Sequence, residues 1–103
     1  AVGGLSSDSD GNIIGGTNAG DSITTGTDNT VIGKDAGTAI SSGDSNIAVG
    51  ALALDANTTG GQNVAVGKNA LTANTTASNN TAVGDRSLEE NTTGTTNTSV
   101  GGV

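Results

Sequence analysis

The 103-residue chain contains no Phe, Trp or Tyr, and no Cys, Met, Pro or His. Without aromatic rings it lacks the side chains that usually dominate burial in a small core. Without Cys it has no disulfide staple and no thiolate for metal binding or attack. His is missing as well, which removes the commonest general base and metal ligand. Positive charge is scarce: Lys34, Lys68 and Arg86 stand against ten acids, for a formal net charge of −7. Three cations neutralise few phosphates, so nucleic acid and anionic membrane surfaces are poor partners. Apolar runs are only a few residues long, so no membrane insertion is expected and no signal peptide is visible. Absence of Cys fits an extracellular protein of bacterial or viral type.

What the chain does have is a period. A five-residue phrase starts at Asn12, Asn29, Asn46, Asn63, Asn80 and Asn97, always 17 residues apart, and reads NIIGG, NTVIG, NIAVG, NVAVG, NTAVG and NTSVG. Only 19 residues are Ile, Leu or Val, a content that with this charge ordinarily means disorder. A linker, however, would drift in length and phase, whereas these aliphatics return to the same phase without insertion or deletion. Such periods mark chains that stack one small unit on the next. The reading is one repetitive segment, residues 1–103: an all-β parallel β-solenoid of about six 17-residue coils.

Counting each Asn as position 1, position 5 is Gly in all six units: Gly16, Gly33, Gly50, Gly67, Gly84 and Gly101. A Gly after a short β-branched run suggests a corner with positive φ or close backbone approach. Positions 2 and 4 share one side of an extended segment, and their β-branched residues predict a core rank of Ile32, Val49, Val66, Val83 and Val100. Leu54, Leu71 and Leu88 at position 9 complete that core. The first two full units carry Gly20 and Gly37 there instead, with Ile23 and Ile40 at position 12, where the later units have Asn57, Asn74 and Asn91. One bulky aliphatic per half-coil is kept while its place moves, as a thin core requires. Position 3 then faces out, so Ile14, Val31, Ala48, Ala65 and Ala82 form a candidate interface with another rod. Positions 13 and 14 pair hydroxyls, with Thr24, Thr58, Thr75 and Thr92 as a Thr ladder on a second short strand. The recurring Asn can stack as amide ladders. Neither end carries a helical, Pro-rich or charged cap, so the chain reads as a section of a longer fibre or one unit of an end-to-end stack.

Enzymatic chemistry finds no support here; no catalytic, cofactor or metal residues are expected. Glu89 and Glu90 occupy adjacent positions, which on a strand face opposite sides, and read as solvated charge. Lys34 and Lys68 read as corner solubilisers. Asp8-Ser-Asp10-Gly-Asn12 resembles the start of a calcium loop, but Gly and the closing acid are misplaced, so a turn is the better reading and calcium at Asp8 and Asp10 stays open. Asn-x-Ser/Thr occurs at Asn57, Asn74, Asn79, Asn91 and Asn97, mostly as a by-product of the repeat.

The phrases NIAVG, NVAVG and NTAVG resemble the repeats of trimeric autotransporter adhesin heads. The units from Asn63 to Asn79 and from Asn80 to Thr96 are still more similar to repeats of bacteriophage tail fibres. The resemblance runs from Asn46 to Gly101 and weakens before it, where Gly15 stands in place of Val. It implies a left-handed β-roll and a homotrimeric, rod-like fibre segment at a virion surface or outside the cell. The role would be rigidity and display, with any cell-surface receptor contacted through attached domains. A rival reading is an ice-binding solenoid built on regular Thr ranks. Asn29 to Gly33 resembles the repeat of plant ice-binding β-rolls, although adjacent Thr positions on a strand would point to opposite faces.

Overall fold

Strands recur because the sequence does. A computed structural model describes residues 4–102; residues 1–3 and 103 of the predicted segment lie outside the described residues. Each unit contributes one three-residue strand from its second to its fourth position: β2 Ile13–Gly15, β3 Thr30–Ile32, β4 Ile47–Val49, β5 Val64–Val66, β6 Thr81–Val83 and β7 Thr98–Val100. They pair in parallel, in chain order, and every partner lies 17 residues away: Val31 with Ala48, Ala48 with Ala65, Ala65 with Ala82. The fold is a β-solenoid of about 5 turns. Among the described residues there is no helix, as the abundance of Gly, Thr and Asn requires. The longest dimension, 31 Å, is close to seven strands at about 4.8 Å.

The facing of the strand is the reverse of the sequence expectation. Val31, Ala48, Ala65 and Ala82, expected at an interface, are 0% exposed and lie in the core, with Ile14 packed against them. Ile32, Val49, Val66 and Val83, expected as the core rank, are only half-buried, and Val100 is 75% exposed. Parity explains the reversal. Strand neighbours alternate, so position 3 shares a side with position 1, and position 1 is a buried Asn in every coil from Asn12 to Asn80. An interior lined by Asn and crossed by two walls has room for Ala, and the bulkier β-branched residues turn outward.

Three positions share the remaining interior volume. Where position 3 is Ala, the bulk comes from position 9: Leu54 and Leu71 are fully buried and Leu88 packs against the same cluster. Where position 3 is Ile14 or Val31, position 9 is Gly and position 12 is Ile. A Cβ on Gly37 would come within 2.8 Å of Ile40 Cδ1 and 3.0 Å of Val31 Cγ1. Leu54, Leu71 and Leu88 occupy the left-handed region, with φ of 53°, 53° and 52°. That conformation costs a non-glycine residue about 1–2 kcal/mol. Full burial of a Leu side chain contributes about 1.5–3 kcal/mol, so packing offsets the strain.

The corner glycines from Gly16 to Gly84 combine positive φ with close backbone approach, while Gly101 has the positive φ alone. Gly67 has φ of 132°, and a Cβ there would sit 2.5 Å from the Gly84 carbonyl oxygen of the next coil. The other corner glycines, Gly16, Gly33, Gly50, Gly84 and Gly101, also have positive φ.

A second strand does not form at the paired hydroxyl positions. The N–H groups of Thr24, Thr25 and Gly26 all converge on the carbonyl oxygen of Ser41, at 3.0, 3.2 and 3.0 Å. In the next unit Ser41 and Gly43 N–H share the Thr58 carbonyl oxygen at 3.1 and 3.2 Å, and the segment bends in each coil with no alternating ladder. At the N-terminal side β1 (Ser6–Ser7) runs antiparallel along β2, pairing Ser6 with Ile14 and Ser7 with Ile13.

The coils are tied by the buried Asn column. Each backbone N–H at position 1 donates to the Oδ1 of the preceding Asn: Asn29 to Asn12 at 2.9 Å, Asn46 to Asn29 at 2.9 Å, Asn63 to Asn46 at 3.1 Å, Asn80 to Asn63 at 3.0 Å. Each Nδ2 donates across its own coil to the carbonyl 14 residues on, as from Asn29 to Gly43 at 2.9 Å and Asn63 to Ala77 at 2.9 Å. In the later coils a second column supports the same carbonyls: Asn74 Nδ2 donates to Ala77 O at 3.0 Å and to Asn57 Oδ1 at 2.9 Å. Every buried side-chain nitrogen and oxygen among the described residues has a partner.

This arrangement makes two Asn substitutions unequal. Asn29→Ala orphans the Asn46 N–H and also the Gly43 carbonyl, because Ile40 stands where the later coils have a second Asn. Asn63→Ala orphans only the Asn80 N–H, since Asn74 still serves Ala77. Each buried orphan costs roughly 1–3 kcal/mol. Denaturant unfolding is expected to show a larger loss for Asn29→Ala, by roughly the cost of one orphan; equal losses would refute the second column's supporting role.

Candidate functional site

The reversed strand facing turns the β-branched residues into a surface. Positions 2 and 4 of β2 to β7 point outward as two ranks on one side of a parallel sheet. One rank is Ile13, Thr30, Ile47, Val64, Thr81 and Thr98; the other is Ile32, Val49, Val66, Val83 and Val100. Ile13 and Ile47 are each 39% exposed. Members of one rank repeat at about 4.8 Å and the two ranks lie roughly 6.6 Å apart, from strand geometry. No charged residue occupies either rank, although the chain carries ten acids. β-Branched side chains are stiff at χ1, so the face is regular and uncharged, apolar except at Thr30, Thr81 and Thr98.

Sequence reasoning missed this surface because it assigned the same residues to the interior. A usable signal was present. Position 3 shrinks from Ile14 and Val31 to Ala48, Ala65 and Ala82 as position 9 changes from Gly to Leu, a covariation expected only of residues sharing a cavity.

Hydroxyl ranks line another part of the coil. Thr24, Thr75 and Thr92 are exposed and Thr58 is half-buried; Thr25, Thr59, Thr76 and Thr93 beside them are also exposed. The expected division into an inner and an outer rank is absent, because the segment bends where a strand was anticipated. Position 13 hydroxyls donate to the next coil, Thr24 Oγ1 to Ser41 O at 3.3 Å and Thr58 Oγ1 to Thr75 O at 3.3 Å.

The charged residues lie outside both arrays. Lys34 and Lys68 are exposed, as is Glu90, while Glu89 is half-buried. Arg86 Nε lies 4.0 Å from Asp85 Oδ2, both well exposed, an arrangement worth little. The Asp8 carboxylate is already an acceptor for Asp10 N–H, Asn12 N–H and Asn12 Nδ2 at 2.9, 2.9 and 3.0 Å, so the turn accounts for it. No group of three or more Asp or Glu side chains capable of holding a metal exists among the described residues, and no pocket is found. Of the Asn-x-Ser/Thr sites, Asn57 and Asn74 are fully buried and Asn79 and Asn97 are exposed.

No family model, curated protein or solved structure matches the chain.

One carboxylate is held in an unfavourable place. Burial, and then the neighbouring charge of Asp35, push the Asp55 carboxyl above its ordinary value of 3.8. A raised folded-state pKa means the folded chain binds this proton more tightly than the unfolded chain. The ionised group therefore lowers stability at neutral pH, and that loss disappears as pH falls through the raised pKa to the ordinary value. Asp55→Asn is expected to melt higher than the parent at pH 7 and at the parent's temperature near pH 3. A pH-independent difference would show that the group's charge is not the cause.

Proposed function

We propose that this chain is a shaft segment of an extracellular, homotrimeric fibre, of the phage tail-fibre or bacterial adhesin kind. Its coil is read as a left-handed β-roll and its role as rigidity and display. The observation that carries this reading is the outward sheet face: two uncharged, β-branched ranks, repeated in register along a rod whose interior is bonded coil to coil. A largely apolar, uncharged face of this kind favours a partner on the side of the rod, and a second and third copy of the same chain offer the same repeat length and the same absence of charge. The resemblance of residues 46–101 to fibre repeats points the same way.

The exposed Thr ranks favour a second reading, an ice-binding solenoid. Hydroxyls at both positions of the bend reach solvent in every coil that carries Thr-Thr, so neither rank is lost to the interior. Thermal hysteresis at micromolar protein is its direct test, and a monomer is its expected state.

Sedimentation separates the readings. A fibre segment should give about three times the 9.7 kDa of one chain. Val66→Lys, on the outward face, should yield a folded monomer with the parent's β-sheet circular dichroism. Ala65→Lys, one residue away but facing inward, should fail to form coils, because a buried unpaired charge costs several kcal/mol against a total stability of about 5–15 kcal/mol. A parent that sediments as a monomer at every concentration would end the trimer reading.

A further inference from the structure

The first unit departs from the repeat at Gly15, and that departure belongs with Asp8 to one local structure. β1 lies antiparallel on the edge of β2. Asp8 then performs for Asn12 what every later Asn receives from the coil before it. Its Oδ1 accepts the Asn12 N–H at 2.9 Å, as Asn12 Oδ1 accepts the Asn29 N–H at 2.9 Å. The other carboxylate oxygen accepts Asn12 Nδ2 at 3.0 Å, and the Asp8 N–H donates to the Asn12 carbonyl at 3.1 Å. Gly11, with φ of 82°, takes the left-handed conformation that Asp28, Ser45, Gln62, Asn79 and Thr96 take before the later Asn residues, so the segment enters the column as a coil does. Gly15 replaces the usual Val because Leu5 lies over it: a Cβ at Gly15 would sit 2.5 Å from Leu5 Cδ2. These bonds hold the Asp8 carboxyl below the usual carboxylate range, the Asn12 side chain being the largest cause.

We propose that Leu5 to Asn12 form a built terminator of the stack, which completes the Asn column with a carboxylate and occupies the edge of β2 so that no strand of a second copy can add there. An unpaired sheet edge is a template for another chain. Here the edge is filled by a segment of opposite direction, and the next strand position is taken by Ser6 and Ser7, which are exposed and carry no apolar rank. Association of this rod is thereby directed to its side and away from this end. The inference does not rest on the trimer reading, because it concerns a different surface.

The test compares the parent chain with the double variant Asp8→Ala/Gly15→Val, which removes the carboxylate and drives Leu5 off the edge. Two measurements are read together: amide hydrogen exchange at Asn12, with Asn63 as internal reference, and sedimentation over a hundredfold range of concentration. The expected result is faster exchange at Asn12, by about tenfold or more for loss of a charge-assisted bond, unchanged exchange at Asn63, and new species that grow with concentration. Unchanged exchange at Asn12 would overturn the proposal, because the segment would not be holding the edge. Faster exchange with an unchanged mass distribution would overturn it equally, because an open edge would then recruit nothing. Should the double variant lose protection at Asn63 too, Leu5→Asp leaves every coil residue intact and is read by the same two outcomes.

Discussion

The rest of the structure depends on the inward-turned Asn at the start of each coil. Its Oδ1 accepts the backbone N–H of the next Asn and its Nδ2 reaches the carbonyl 14 residues on. The first bond holds adjacent coils in register. The second closes the coil on itself by tying its two walls together. A short amide with one acceptor and two donors fits both tasks; Asp would lose the donors and stack charges, and Ala would leave buried backbone groups without partners. In a chain without aromatic rings this matters more than usual, because an interior largely of Ala gains little from burial, at about 0.8 kcal/mol per CH₂.

Once Asn is inside, the remaining geometry follows. Alternation places position 3 beside it in the core and sends positions 2 and 4 to solvent. The narrow interior is then filled in one of two ways, by Val31 and Ile40 around Gly37, or by Leu54 with Ala48 and Asn57. The second solution puts a Leu in the left-handed region, a conformation that no local preference of Leu would select. It also frees position 12 for a second amide column, which converts interior volume into hydrogen bonds. The two kinds of coil thus reach full polar satisfaction by different routes, one resting more on aliphatic contact and the other on amides.

The period, the parallel pairing and the 17-residue register were legible in the sequence, because five identical spacings leave no other alignment. The facing was not. Alternation offers two parities, and the residues best suited to a core by type, such as Val66, lost to the smaller Ala65 because the neighbouring Asn had already claimed the inside. The bend at Thr24 and Thr25 was hidden for a related reason: Thr favours strands, but three N–H groups meeting one carbonyl cannot extend a ladder. Gly15 looked like a weakened repeat. It is a Gly because Leu5 covers it, a contact between residues ten apart that periodicity by its nature cannot reveal. The apolar sheet face was therefore readable as a pattern and misplaced by one residue, while the hydroxyl ranks were expected on a strand and lie on a bend.

Both arrays differ from a binding pocket in the same way. Every coil presents nearly the same two or three side chains, so no single position concentrates binding energy and each contact is weak by itself. Such a surface gains affinity by repetition, with each coil held at a fixed distance from the next so that successive contacts cost little further ordering. Rigidity is what makes that addition work, and the rigidity here is supplied from inside, by amides bonded along the axis. A partner with a matching repeat can use the whole length of the face at once. A partner without one meets only a coil or two. In the proposed fibre that condition is best met by another copy of the chain, since stacking 17 residues per rung on both sides keeps every Val and Ile in the same relation from the first coil to the last.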